Sequence, residues 1–218
     1  MLTWPDIDTV MFDMDGTLLD LHFDNYFWQT LVPTVYGAQQ GISAEQAALS
    51  IHRQYADQHG SLNWYCMDYW GRTLNLDIAS LKFEHRHRIA LRPHALSFLQ
   101  SLQGLDKQVF LVTNAHPDSL KLKLAHTGIG SYFAHTISSH TLGLAKEHAG
   151  FWQSLQNITS FVPERTLLID DNLAVLQQAR REGIAHLRAI RQPDSSQPPL
   201  PATEFVQIED FRHVIPAS

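Results

Sequence analysis

The junction between Thr9-Val10-Met11-Phe12 and Asp13-Met14-Asp15-Gly16-Thr17 constrains this chain more than any other stretch. Four residues suited to a buried strand run straight into two acids spaced one apart. Neither carboxylate belongs in an apolar interior, and two so close repel unless a cation or proton lies between them. The C-terminal lip of a parallel strand accommodates both, and open α/β sheets hold their ligands there. Gly16 permits a sharp turn directly after the acids. An ordinary surface turn built on Asp-x-Asp-Gly would look the same locally, so the reading depends on whether other strands end in the same way.

They do. Residues 108–114 (Gln-Val-Phe-Leu-Val-Thr-Asn) and 165–172 (Arg-Thr-Leu-Leu-Ile-Asp-Asp-Asn) are strand-like runs that end in polar groups. Weaker strands are expected at 135–139, 185–190 and 204–208. Helices are expected between them: 93–104, opened by Pro93 and closed by Gly104; 117–127, ended by Gly128; around 146–156; and 172–181. Strands alternating with helices predict an α/β fold, a Rossmann-like, doubly wound, mostly parallel sheet.

Between residues 20 and 92 no strand is evident. Phe23, Phe27, Leu31 and Val35 mark one helix face, with Pro33 expected to bend or end the helix. Ser43-Ala44-Glu45-Gln46 is a capping-box start for a helix reaching toward Gly60, and Asp77 caps another expected to run to about Leu91. The expected division is a catalytic core, 1–20 and 92–218, and an all-helical cap, 21–91, over the lip of the first strand.

The 218 residues carry 16 basic and 22 acidic side chains, a net charge of −6, with no long basic run. Nucleic acid is therefore not the expected partner, whereas a small phosphorylated molecule could be held by a local cation. Cys66, the single cysteine, offers no disulfide framework and no thiolate zinc site, and is expected to be a half-buried small apolar residue. No stretch is apolar enough to span a membrane and the N-terminal residues lack a signal pattern, so the expected location is cytoplasmic. The 13 histidines show no His-Glu-x-x-His-type spacing; of them, His116 is expected nearest the site.

The polar strand ends, Asp13/Asp15, Thr113/Asn114 and Asp170/Asp171, should converge on one side of the sheet with Lys146. Such carboxylates suit Mg²⁺, and Thr113, Asn114 and Lys146 suit a phosphate. Thr17 is either a turn residue or part of the site, and Asn172 either a helix cap or a ligand. Arg86, Arg88 and Arg92 are expected on a solvated face.

Asp13-Met14-Asp15-Gly16-Thr17, Thr113, Lys146 and Asp170-Asp171, in that order, resemble the four motifs of the haloacid dehalogenase-like (HAD) superfamily, in the Asp-x-Asp form of its phosphatases and phosphotransferases. The insertion is similar to that family's helical C1 cap. The resemblance implies Asp13 as nucleophile through an aspartyl-phosphate and Asp15 as general acid and base. It also implies Mg²⁺ on the Asp13 carboxylate, the Asp15 backbone carbonyl and Asp171, with Asp170 as second ligand or water-holder, and phosphate on Thr113, Lys146 and the backbone N–H of Asn114. Asn63-Trp64-Tyr65-Cys66-Met67-Asp68-Tyr69-Trp70 is similar to the cap of the purine 5′-nucleotidase branch acting on GMP and IMP, its rings either stacking a base or packing the cap. The expected activity is a Mg²⁺-dependent nucleoside 5′-monophosphate phosphatase. The alternatives are a sugar-phosphate phosphatase or phosphomutase on the same core, and a non-catalytic phosphate-binding regulatory module. Oligomeric state has no signature in the sequence.

Overall fold

The computed structural model describes residues 2–215. Six parallel strands, β1 (Thr9–Phe12), β2 (Gln108–Thr113), β3 (His135–Ser138), β4 (Thr166–Asp170), β5 (His186–Ile190) and β6 (Val206–Ile208), form one sheet in the order β3-β2-β1-β4-β5-β6. The chain winds outward from β1 to β3, then resumes on the other side at β4. This reversal beside β1 is where such sheets open a crevice at their C-terminal ends. The register sets Phe12 beside Leu111 and Ile169, so Asp13 leaves the sheet between its two neighbours.

Alternation along the strands builds two cores. Val10, Phe12, Val109, Leu111, Leu167 and Ile169 face one side, and Met11, Phe110, Val112 and Leu168 the other.

Helices α1 (His22–Tyr26), α2 (Val32–Gln40), α3 (Ala44–Gln58), α4 (Met67–Leu74) and α5 (Ile78–Glu84) form the insertion after β1. Its two connecting segments pair: Asp20 N donates to Ala90 O (2.9 Å) and Arg92 N to Leu18 O (2.9 Å). The insertion thus leaves and returns at the lip of β1. Its buried Phe23, Phe27, Ile51 and Trp70 belong to the same apolar cluster as Val10 and Phe12. The remaining helices, α6 (Ala95–Leu102), α7 (Pro117–Thr127), α8 (Phe151–Gln156) and α9 (Leu173–Arg181), cover the sheet.

Several boundaries differ from expectation for identifiable reasons. Pro33 does not end its helix. A π-helical segment, Phe27–Leu31, joins α1 to α2, with Val32 N donating to Phe27 O. The wider turn shifts the phase by one residue, so Val32 joins Phe23 and Phe27 in the core and Leu31 and Val35 are only half-buried. The capping box at Ser43 forms as expected, Ser43 and Gln46 bonding reciprocally. The helix from Asp77 stops at Glu84 and continues only as a 3₁₀ turn, Arg86–Arg88. Pro93 precedes rather than opens α6, whose N-cap is His94 at φ 63°. Lys146 lies on a turn, not a helix, because Gly150 adopts φ +86° immediately before α8.

Candidate active site

Asp13, Asp15, Thr113, Asn114, Lys146, Asp170 and Asp171 all line one cavity of about 960 Å³ between the strand ends and the insertion. Every site residue expected from the sequence is brought there.

Lys146 is the hub. It is 2% exposed, and its ammonium donates to Asp13 Oδ1 (2.5 Å), Asp170 Oδ2 (2.7 Å) and the Val112 carbonyl (3.1 Å). These engage all three of its donors, so its first task is to hold the two carboxylates, and they in turn keep it protonated despite its burial. Asn114 fixes the loop that carries it, Oδ1 accepting from Lys146 N (2.9 Å) and Nδ2 donating to Glu147 (2.8 Å). The Asn114 side chain is therefore committed to that loop rather than free for a phosphate.

The two acids at the end of β4 divide their work. Asp170 is wholly buried, with Oδ2 on Lys146 and Oδ1 accepting from Asn172 N (2.9 Å). Asp171 turns toward Asp13, and carboxylate oxygens of Asp13, Asp170 and Asp171 lie within 4.8 Å of one another. Gly16, at φ +87°, makes room for this: a Cβ there would stand 2.6 Å from Asp171 Oδ2. Burial pushes Asp171 well above the usual carboxylate range, and the neighbouring Asp13 and Asp170 push it further. Burial likewise raises Asp13 to about 6, against the pull of Lys146. Three crowded acids share one lysine, a donor set that fits a hard divalent cation.

Asp15 has its own cation, which the sequence did not disclose. Lys123 of α7, 1% exposed, donates to Asp15 Oδ1 (2.7 Å) and to Asp24 of the insertion (2.6 Å). Lys82 of α5, also buried, completes the chain with a bond to Asp24 (2.7 Å) and a contact to Ser119 Oγ (3.3 Å). The two lysines hold Asp24 ionised. Burial raises Asp15 to about 6 in spite of Lys123, with Asp24 and Asp13 adding to the rise. Each lysine alone looks like any helical lysine, because its partners are distant in sequence.

Thr113 Oγ1 accepts from Ala115 N (3.1 Å) and so shapes the turn out of β2. Thr17 is buried, but among the described residues its hydroxyl finds no hydrogen-bond partner, so it does not brace the turn through its side chain. Asn172 is the N-cap of α9, accepting from Ala174 N (2.9 Å). His116 caps α7 and lines the cavity. Arg86 and Arg88 stack on Phe83 and Tyr26, and Arg92 donates to Gln192 O; none lines the cavity.

Aromatic side chains form the opposite wall. Trp28, Tyr55, Trp64, Tyr65 and Trp70 border the cavity. Trp70 is 1% exposed, its Nε1 donating to Trp64 O (3.0 Å) and its ring edge-on to Tyr55. Trp28 and Trp64 are only half-buried. Tyr65 reaches the core through Glu147 (3.0 Å), the residue that Asn114 also holds.

A doubly wound sheet with an acid pair on the first strand, a lysine before the fourth and a second acid pair at the fourth strand's end defines a family of hydrolases. The chain belongs to the haloacid dehalogenase-like hydrolases, whose family model matches residues 7–183. It is 42% identical over 216 residues to the GMP/IMP nucleotidase YrfG of Escherichia coli K12, covering 99% of this chain and 97% of that protein. Among solved structures it resembles a HAD phosphatase from Thermococcus onnurineus, with a TM-score of 0.77 at 20% identity over 95% of this chain and 96% of the other. It also resembles YfnB from Bacillus subtilis bound to magnesium, with a TM-score of 0.67 at 18% identity over 95% and 96%.

Proposed function

We propose that this hydrolase is a Mg²⁺-dependent phosphomonoesterase that releases phosphate from purine nucleoside 5′-monophosphates, with residues 21–91 acting as its cap. The observation that carries the reading is the meeting of Asp13, Asp15 and the Lys146–Asp170–Asp171 group in one cavity walled by indoles. The near full-length similarity to a GMP/IMP nucleotidase supports the substrate class.

Asp13 is the nucleophile. Its carboxylate, held through Oδ1 by Lys146, attacks phosphorus; the Asp13–phosphate bond forms as the bond to the nucleoside 5′-oxygen breaks. Asp15 gives its proton to that oxygen. A carboxyl raised to about 6 remains partly protonated near neutral pH, which lets it act first as acid and then as base. Once ionised, Asp15 takes a proton from water, whose oxygen attacks the same phosphorus and releases Asp13. Thr113 and the backbone N–H of Asn114 meet the phosphoryl oxygens, and Lys146 supplies charge beside them.

The Asp13, Asp170 and Asp171 cluster fits Mg²⁺, with Asp13, the Asp15 carbonyl and Asp171 as ligands and Asp170, already bonded twice, behind them. When bound, Mg²⁺ offsets the repulsion between an anionic nucleophile and an anionic phosphate. Trp28 and Trp64 offer half-exposed faces to a purine. No helix among the described residues is long and apolar enough to cross a membrane; a cytoplasmic location is part of the proposal, in keeping with a small-metabolite substrate.

The test is acid-quenched turnover with a phosphate-labelled nucleotide. Label should appear covalently on the wild type and be absent from Asp13→Asn, which should lose turnover by a factor of at least about 10³ while keeping its circular dichroism. Unchanged steady-state phosphate release in Asp13→Asn would remove Asp13 as nucleophile.

A further inference from the structure

Cys66, His116 and His140 come from three separate segments, yet each presents a ligand atom within 4.8 Å of the others'. Cys66 is the N-cap of α4, where its Sγ accepts from Tyr69 N (3.4 Å). His116 is the N-cap of α7. His140 lies in the 3₁₀ turn that ends β3, its ring 5.1 Å from that of His116. The His140 Nε2 is buried and, among the described residues, has no hydrogen-bond partner. A buried imidazole nitrogen left without a partner beside a thiol and a second imidazole is an open ligand position. Asp68, two residues beyond Cys66, brings Oδ2 to 3.7 Å from His116 Nε2 and is open to solvent.

We propose that Cys66, His116 and His140 form a site for a zinc-class divalent ion, with Asp68 as the fourth ligand. One thiolate, two imidazoles and a carboxylate make a four-ligand set of borderline softness suited to tetrahedral Zn²⁺ and poorly matched to Mg²⁺. Bond lengths of about 2.0–2.3 Å place bound ligand atoms roughly 3.3–3.7 Å apart, so Cys66, His116 and His140 close from 4.8 Å with shifts of about an ångström, while the exposed Asp68 carboxylate, which lies within that distance of His116 and Asp118, must turn inward to join them. The site is separate from the Asp13, Asp170 and Asp171 cluster, and its chemistry does not depend on the proposed substrate. Because Cys66 and Asp68 belong to the insertion while His116 and His140 belong to the sheet's loops, a bound ion would staple the two at the rim of the cavity that His116 lines. The ligands' spacing, 50 and then 24 residues, hides the site from any linear motif.

The probe is Co²⁺, titrated into the full-length protein with Mg²⁺ in large excess to occupy the acid cluster. The proposal predicts one Co²⁺ per chain with an intense near-ultraviolet thiolate-to-cobalt band and the visible bands of a tetrahedral ion. Both should persist in Asp171→Asn. Cys66→Ser should lose the near-ultraviolet band, and both Cys66→Ser and His140→Ala should weaken binding at least about 100-fold, since even outer partners cost about 10–100-fold. Zn²⁺ should raise the unfolding midpoint of the wild type but not of Cys66→Ser. Should His140→Ala fail to fold by circular dichroism, Cys66→Ser, which exchanges one atom, decides alone. Absence of the thiolate band in the folded wild type, or Co²⁺ binding lost with Asp171→Asn and retained with Cys66→Ser, overturns the proposal.

Discussion

Lys123 ties Asp15, the proposed general acid, to the insertion. It donates to Asp15 and Asp24 at once, and its charge pulls Asp15 down against the burial that pushes it up. Removing it should let Asp15 rise. Lys123→Met is expected to move the basic limb of the kcat/KM profile to higher pH by about 1–3 units, the usual reach of one close opposite charge, because Asp15 must be protonated when the ester bond breaks. A limb that stays in place would mean that Lys123 is structural only. Gly16 is constrained as tightly as any catalytic group, since its φ of +87° and the 2.6 Å approach of Asp171 leave no space for a side chain. The acid pairs were legible in the sequence because each ends a recognisable strand, and Lys146 because it falls between the second and third of those polar strand ends in the order of the motifs. Lys82 and Lys123 were not, because a buried lysine is recognised only by its partner, and Asp24 lies far from both in the chain.

Among the elements, the insertion's helices decide how the cavity is walled. The π-helical segment Phe27–Leu31 rotates α2 by one residue, which seats Val32 in the core; a four-residue apolar spacing does not reveal that extra residue. The aromatic block also divides by position, as no local pattern could show. Trp70 is packed, and Trp70→Ala should cost about 3–5 kcal/mol of stability, measured by denaturant unfolding. Trp28 and Trp64 face the cavity more openly, so Trp28→Ala and Trp64→Ala should raise KM for GMP several-fold more than KM for a small aryl phosphate. Equal effects on both substrates would assign these rings to packing. Strand positions were the most readable elements, because a parallel sheet covered on both faces demands continuous apolar runs. The turn carrying Lys146 was not readable as such, since what ends helix formation there is the left-handed Gly150.

The whole molecule concentrates charge where folding disfavours it. Asp13 and Asp171 carry folded-state values above the unfolded carboxylate range. Their contribution to stability is therefore complete below about pH 4 and is lost as pH rises through about 6 and beyond. In EDTA, Asp171→Asn should match the wild type near pH 4 and be the more stable of the two near pH 8, with Mg²⁺ restoring the wild type more than the variant. A stability difference independent of pH would show that Asp171 is not strained by its neighbours. The fold as a whole was legible because strand-ending acids, helix caps and the long helical gap agree on one topology. The meeting of insertion and core was not, since Tyr65–Glu147–Asn114 and Asp15–Lys123–Asp24 are contacts between distant segments. An acid-pair phosphatase that selects purine nucleotides is distinguished from its alternatives by phosphate release across nucleoside monophosphates, sugar phosphates and an aryl phosphate, in Mg²⁺ and in EDTA. Turnover should be abolished by EDTA and concentrated on GMP and IMP. Turnover that survives EDTA, or that is concentrated on sugar phosphates, would contradict the proposed function.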